Sequence, residues 1–158
     1  MTRDIDLFFE SIRKGDKYRI EALLGINPKL VDETDSRGFT PLIFATYFDN
    51  EIVTNVLIEH DADIDAKDGS GNTALIGVSF KGNTTLANLL IEKGANINAT
   101  NNNGATPLIF ATMYDKINIV ELLLDAGADK SIKDLEGKTA YDYALEKEFS
   151  HILKTLNS

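Results

Sequence analysis

Three aspartates at alternate positions, Asp61, Asp63 and Asp65, open the run DADIDAKDGSGN at residues 61–72. This is how a calcium-binding loop begins. Such a loop also needs glycine at its sixth position for the sharp turn and a bidentate glutamate at its twelfth. Here those positions hold Ala66 and Asn72, so the calcium reading fails. Gly69, Gly71 and Ala74 satisfy G-x-G-x-x-A, which cradles a dinucleotide pyrophosphate only when it follows a buried strand and opens a helix. No apolar strand precedes it. Asn83-Thr84-Thr85 and Asn98-Ala99-Thr100 have the glycosylation pattern, which matters only in a secreted chain. His60 and His151 are isolated in sequence and fall near expected helix ends, where a positive charge is favourable. With no cysteine in the chain, a thiol nucleophile, a disulfide and a thiolate metal site are all excluded. The expectation is no enzyme, no cofactor and no metal; a small-molecule or metal-dependent enzyme is the remotest alternative.

Composition narrows the class further. The chain has 158 residues, about one domain by length, and a formal net charge of −9. That balance opposes nucleic-acid binding, which needs a basic face, and docking on anionic membranes. The N-terminal run MTRDIDLFFESIRK carries Asp4, Asp6 and Glu10 among its apolar residues, so it does not form a signal-peptide core. No other run approaches transmembrane length, and the expected location is the cytoplasm.

The elements that position these residues follow from an internal repeat. Gly38, Gly71, Gly104 and Gly137 recur every 33 residues, each followed two residues later by Thr40, Thr73, Thr106 or Thr139. Pro41, Ala74, Pro107 and Ala140 come next, then Leu42, Leu75, Leu108 and Tyr141. No gap interrupts the register, and a fixed period of this length marks a stacked-repeat architecture. Each threonine is placed to start a short helix, expected over 41–48, 74–81 and 107–114, with proline at the tolerated first position. Tight turns at Asp49-Asn50, Gly82-Asn83 and Asp115-Lys116 lead to second helices rich in Val, Leu and Ile. Gly94 and Gly127 follow two of these helices as left-handed caps, and Asp61 stands at the equivalent position in the other. Extended fingers then turn at Asp68-Gly69, Asn101-Asn102 and Asp134-Leu135. Before the repeats, Ile5, Phe8, Phe9 and Ile12 predict an amphipathic helix that Gly15-Asp16 breaks. Ile20, Leu23 and Leu24 predict a second, ended at Asn27-Pro28.

The run D-x-x-G-x-T-P-L, an alanine, paired apolar helix residues and then GAD or GAN resembles the ankyrin repeat over nearly the whole chain. The resemblance implies an all-α solenoid of helix-turn-helix units with hairpin-like finger loops. A single domain over 1–158 is expected, with an N-terminal cap at 2–37, full repeats at 38–70, 71–103 and 104–136, and a truncated C-terminal cap at 137–158. One departure recurs: the histidine usual after TPL is Ile43, Ile76 and Ile109, and Asp142 in the last copy. Aliphatic packing is expected to replace the polar links of that histidine.

The resemblance also implies function: binding another protein through the fingers and the exposed side of the first helices, as an adaptor, inhibitor or regulator. Carried across by position, the binding residues are Tyr47, Phe48, Phe80, Lys81, Met113 and Tyr114 on the helices, and Arg37, Phe39, Lys67 and Asn102 on the fingers. Tyr47, Phe80 and Met113 share one phase, in units about 10 Å apart. Aromatics and methionine are enriched at interfaces, so they predict its apolar centre, with Arg37, Lys67 and Lys81 as its rim. A monomer is expected; the alternative is a structural or self-associating solenoid. Asp32, Glu33, Asp35, Asp61, Asp63, Asp65, Asp68, Asp125, Asp129 and Asp134 form a second, acidic surface, read as solvated turns or as steering for a basic partner.

Overall fold

The computed structural model describes residues 2–158, and it is helical throughout. Its helices are α1 (Thr2–Lys14), α2 (Lys17–Ile26), α3 (Pro41–Tyr47), α4 (Glu51–Glu59), α5 (Ala74–Lys81), α6 (Thr84–Glu92), α7 (Pro107–Met113), α8 (Ile117–Asp125), α9 (Ala140–Glu146) and α10 (Ser150–Asn157). No strand is assigned among the described residues.

Local chemistry sets each helix start. Thr40, Thr73, Thr106 and Thr139 place Oγ1 within 3.2–3.3 Å of the backbone N–H three residues on, satisfying one of the free donors of the first turn. In α9 the device is reciprocal, because Asp142 also accepts from the Thr139 N–H at 2.9 Å. Asn50 and Asn83 cap α4 and α6 in the same way. Between paired helices the chain takes one left-handed residue: Gly15, Asp49, Gly82, Asp115 or Glu148. After the second helices Asp61, Gly94 and Gly127 do the same, as expected of those three positions.

The helix ends correct the sequence reading slightly. α3 and α7 stop at Tyr47 and Met113, so Phe48 and Tyr114 are caps rather than helical residues. Asn27-Pro28 ends α2 but leads directly into a 3-10 turn, Pro28–Asp32, which was not foreseen. The last helix begins at Ser150, two residues after Glu148, which takes a φ of 58°.

First helices stack on first helices in the order α1, α3, α5, α7, α9, and each packs against its own second helix. The core runs along this stack through Phe8, Ile12, Leu42, Leu57, Leu75, Leu90, Leu108, Leu123, Ala144 and Ile152. Ile76 and Ile109, which replace the usual histidine, are each 1% exposed. Among the described residues no helix is long and apolar enough to cross a membrane.

The fingers are fastened by side-chain acceptors that recur with the repeat. Asp35, Asp68, Asn101 and Asp134 each accept two backbone N–H groups of their own turn through Oδ1, at 2.9–3.0 Å. A second set crosses between units. Asp32 accepts from the Asp63 N–H, Asp65 from Asn96 and Asn98 from Asp129, at 2.8–2.9 Å. Of the acidic surface read from sequence, Asp32, Asp35, Asp63, Asp65, Asp68, Asp129 and Asp134 also accept backbone N–H groups.

Candidate binding surface

The stacking brings the exposed edge of α3, α5 and α7 beside the fingers. Tyr47 (65% exposed), Phe80 (45%) and Tyr114 (45%) stand there, with Phe48 at 42%. Met113 departs from expectation: it is half-buried and packs against the core. The difference follows from its neighbour, since Tyr114 rather than Met113 turns toward Phe80, their rings meeting edge-on with centroids 4.5 Å apart. Tyr114 also stacks on Phe110 at 6.0 Å. At the other end Tyr47, Phe48, Phe44 and Phe9 form a chain of edge-on contacts at 5.0–5.3 Å. The aromatic edge is therefore two clusters: Phe9, Phe44, Phe48 and Tyr47, then Phe80, Phe110 and Tyr114.

Two cavities lie between these side chains and the first two fingers. One, of about 320 Å³, is lined by Arg13, Arg37, Phe39, Ile43, Phe44, Tyr47 and Phe48. Its neighbour, of about 300 Å³, shares Phe39, Ile43 and Tyr47 and is closed by Phe80, Lys81, Gly77, Asp68 and Asn72. Phe39, half-buried at the base of its finger, divides the two. Both volumes sit near the lower limit of typical ligand pockets, ~300 Å³.

The three residues expected at the rim, Arg37, Lys67 and Lys81, and the finger residue Asn102 are all engaged within the chain. Lys81 binds the Asp49 carboxylate at 2.9 Å, donates to the Tyr47 carbonyl and lies 5.1 Å from the centre of the Tyr47 ring. It fixes Tyr47 from the next unit. The Asn83 amide and then Lys81 hold the Asp49 carboxyl below its usual range, against the opposing effect of desolvation. Arg37 pairs with Asp35 at 2.9 Å and covers the faces of Phe39 and Phe44. Lys67 donates to the Thr100 carbonyl at 2.7 Å, and Asn102 donates through its side chain to Gly69 and through its N–H to Ser70. These residues shape the surface.

Phe44 and Gly77, which line these cavities, and Phe110, which stacks on Tyr114, escaped the sequence reading. Their signal was present in the register, where Phe44, Gly77, Phe110 and Tyr143 share one phase. Among the described residues no group of three or more His, Cys, Asp or Glu side chains is placed to hold a metal ion.

Stacked helix pairs joined by fastened fingers, with an aromatic edge beside them, define a helical repeat solenoid built to present a surface. Sequence comparison places it within that class: the description "Ankyrin repeats (3 copies)" matches residues 8–101 and again 76–158, and the chain belongs to the ankyrin-repeat family. No individual curated protein matches it. Ankyrin repeats are generally protein–protein interaction modules, and the family is typically non-enzymatic.

Proposed function

We propose that this chain is a protein-binding module that acts as an adaptor, inhibitor or regulator by covering part of a partner's surface. The observation that supports this is the aromatic edge: Tyr47, Phe48, Phe80 and Tyr114 stay exposed beside two adjacent, largely apolar cavities. A soluble protein seldom leaves such a patch uncovered unless something binds it. These residues, with Phe39 and part of Met113, are the apolar centre of the interface. Arg37, Lys67, Lys81 and Asn102 hold it in shape and complete its rim. The repeat register further supports one domain of five units, with full repeats at 38–70, 71–103 and 104–136 between two terminal units at 2–37 and 137–158.

The test is capture from a lysate with the wild type and with the variant Tyr47→Ser/Phe80→Ser/Tyr114→Ser, after circular dichroism shows equal helix content. A protein held by the wild type and lost by the folded variant is the expected result. Equal retention by both would move the interface elsewhere. The exposed patch also allows self-association, which light scattering across concentrations detects as a mass that grows with concentration; a constant monomer mass is expected.

A further inference from the structure

The four finger acceptors differ in what their second atom does. Asp35 gives Oδ2 to the Arg37 guanidinium at 2.9–3.0 Å. Asn101 carries an amide there, which donates to Asn72 Oδ1 at 3.0 Å. Asp134 Oδ2 accepts the hydroxyl of Tyr143. Asp68 Oδ2 has no hydrogen-bond or ion-pair partner among the described residues, although its Oδ1 holds the Ser70 and Asn72 N–H groups as in every other finger.

The same unit lacks a side chain. The register position held by Phe44, Phe110 and Tyr143 is Gly77 in α5, and apart from the backbone of its own helix no atom lies within 4 Å of where its Cβ would stand. Its absence opens the cavity of about 300 Å³, which Asp68 and Gly77 line together with Tyr47, Phe80 and Phe39. The two vacancies are one. In the last unit an aromatic ring from this position reaches the finger aspartate, and Lys138 lies 5.3 Å from the centre of that ring. In the third unit both the ring and the hydroxyl are missing from a site otherwise built alike.

We propose that the notch over Gly77 receives a tyrosine side chain of the bound partner, its ring between Tyr47 and Phe80 and its hydroxyl donating to Asp68 Oδ2. This rests on the reading of the aromatic edge as a protein-binding surface and names the partner's anchor. Tyr143 against Asp134 is the internal copy of the complex. A neutral phenol enters an apolar notch at low cost and meets a charged acceptor, the stronger kind of hydrogen bond. Phenylalanine would fill the space but leave the carboxylate oxygen unmet, as Phe110 avoids doing by facing an asparagine finger.

The test is a titration of the full-length ¹⁵N-labelled chain followed by NMR, with N-acetyltyrosinamide, N-acetylphenylalaninamide and N-acetylargininamide as probes. The tyrosine probe is expected to shift the amides of Gly77, Ser70 and Asn72 and to bind about tenfold more tightly than the phenylalanine probe. Asp68→Asn, which keeps the turn as Asn101 does, is expected to remove most of that preference. Gly77→Tyr, which fills the notch from within, is expected to abolish binding and to melt above Gly77→Phe only while Asp68 is present. Equal binding of the tyrosine and phenylalanine probes, preference for the arginine probe, or no shift at these amides would each overturn the proposal. None of these would decide the wider reading, which the capture experiment with Tyr47, Phe80 and Tyr114 tests separately.

Discussion

Asp61 holds a φ of 64° one residue beyond the His60 cap of α4, where Gly94 and Gly127 stand in the next two units. A side chain in the left-handed region costs roughly 1 kcal/mol relative to glycine, somewhat less for aspartate. Asp61→Gly is therefore expected to raise the melting temperature by about 2–4 °C, read by thermal circular dichroism. An unchanged or lower value would show that the aspartate offsets its strain through contacts of its own. Thr112 presents the opposite case. It is fully buried, and its hydroxyl finds no acceptor, whereas the equivalent Thr46 and Ser79 bond to carbonyls of their own helices at 2.9 and 2.7 Å. A buried donor without a partner costs about 1–3 kcal/mol. Thr112→Val is expected to leave urea stability equal or higher, while Thr46→Val lowers it; equal losses at both sites would refute the distinction. The left-handed role of Asp61 was legible in the sequence because its glycine counterparts sit at the same phase. The orphaned hydroxyl of Thr112 was not, since it depends on which carbonyl a rotamer reaches.

At the scale of elements, the fingers are the part most easily misread from residue type. Their aspartates look like a charged surface, yet they serve as acceptors for backbone N–H groups that the extended chain leaves unpaired. Desolvation works to raise the Asp35 and Asp134 carboxyls, but hydrogen bonds outweigh it, from Phe39 and Arg37 for the first and from Tyr143 and Lys138 for the second. Both are held below the usual carboxylate range. A folded-state value below the unfolded one gives stability that is complete above about pH 4 and is lost as pH falls through the folded values. Burial and then Asp134 push the Tyr143 phenol upward, so its contribution is complete below about pH 10 and is lost above it. The urea midpoint is expected to drop between pH 5 and pH 2.5 in the wild type, and by less in Asp134→Asn, which starts lower at pH 7. An identical pH profile in the two proteins would remove Asp134 from the account. The helices themselves were legible to within two residues, because threonine caps and apolar spacing are local signals. The cross-finger bonds were not, since each joins residues 31 positions apart.

On the scale of the whole molecule, contacts run from each helix pair to the next, as the sequence α1, α3, α5, α7, α9 requires. Stability in such a row is close to a sum of unit and joint contributions. Ile152 is fully buried in α10, and Ile152→Ala is expected to cost about 2–5 kcal/mol. Among the described residues α10 packs chiefly against α8 and α9, so that loss should be local. Amide exchange is expected to quicken in α9 and α10 while α3 and α4 keep their protection. Uniform quickening in all helices would mean that the row unfolds as a single unit. The stacking of units was legible from the period, and their helix-turn-helix form from the resemblance to the ankyrin repeat. The aromatic edge was legible as residues but not as two clusters, because the choice of Tyr114 over Met113 to meet Phe80 is made by packing across units.

The ladder through Asp32, Asp65 and Asn98 also has a bearing on how such a chain can change length. Acceptors stand at 32, 65 and 98 and donors at 63, 96 and 129, so each joint carries one half on either side of a whole period. A tandem duplication of residues 71–103 would present the Asn98 amide oxygen to the duplicated Asn96, and the duplicated Asn98 to Asp129. The finger bonds from Asn102 to Ser70 and from Leu135 to Asn103 would be renewed by the same shift. An insertion of whole periods adds interchangeable parts, whereas an insertion of any other length breaks the spacing of the joint it falls within. The molecule is in this sense extensible in quanta, each of which would add another stretch of surface of the same kind.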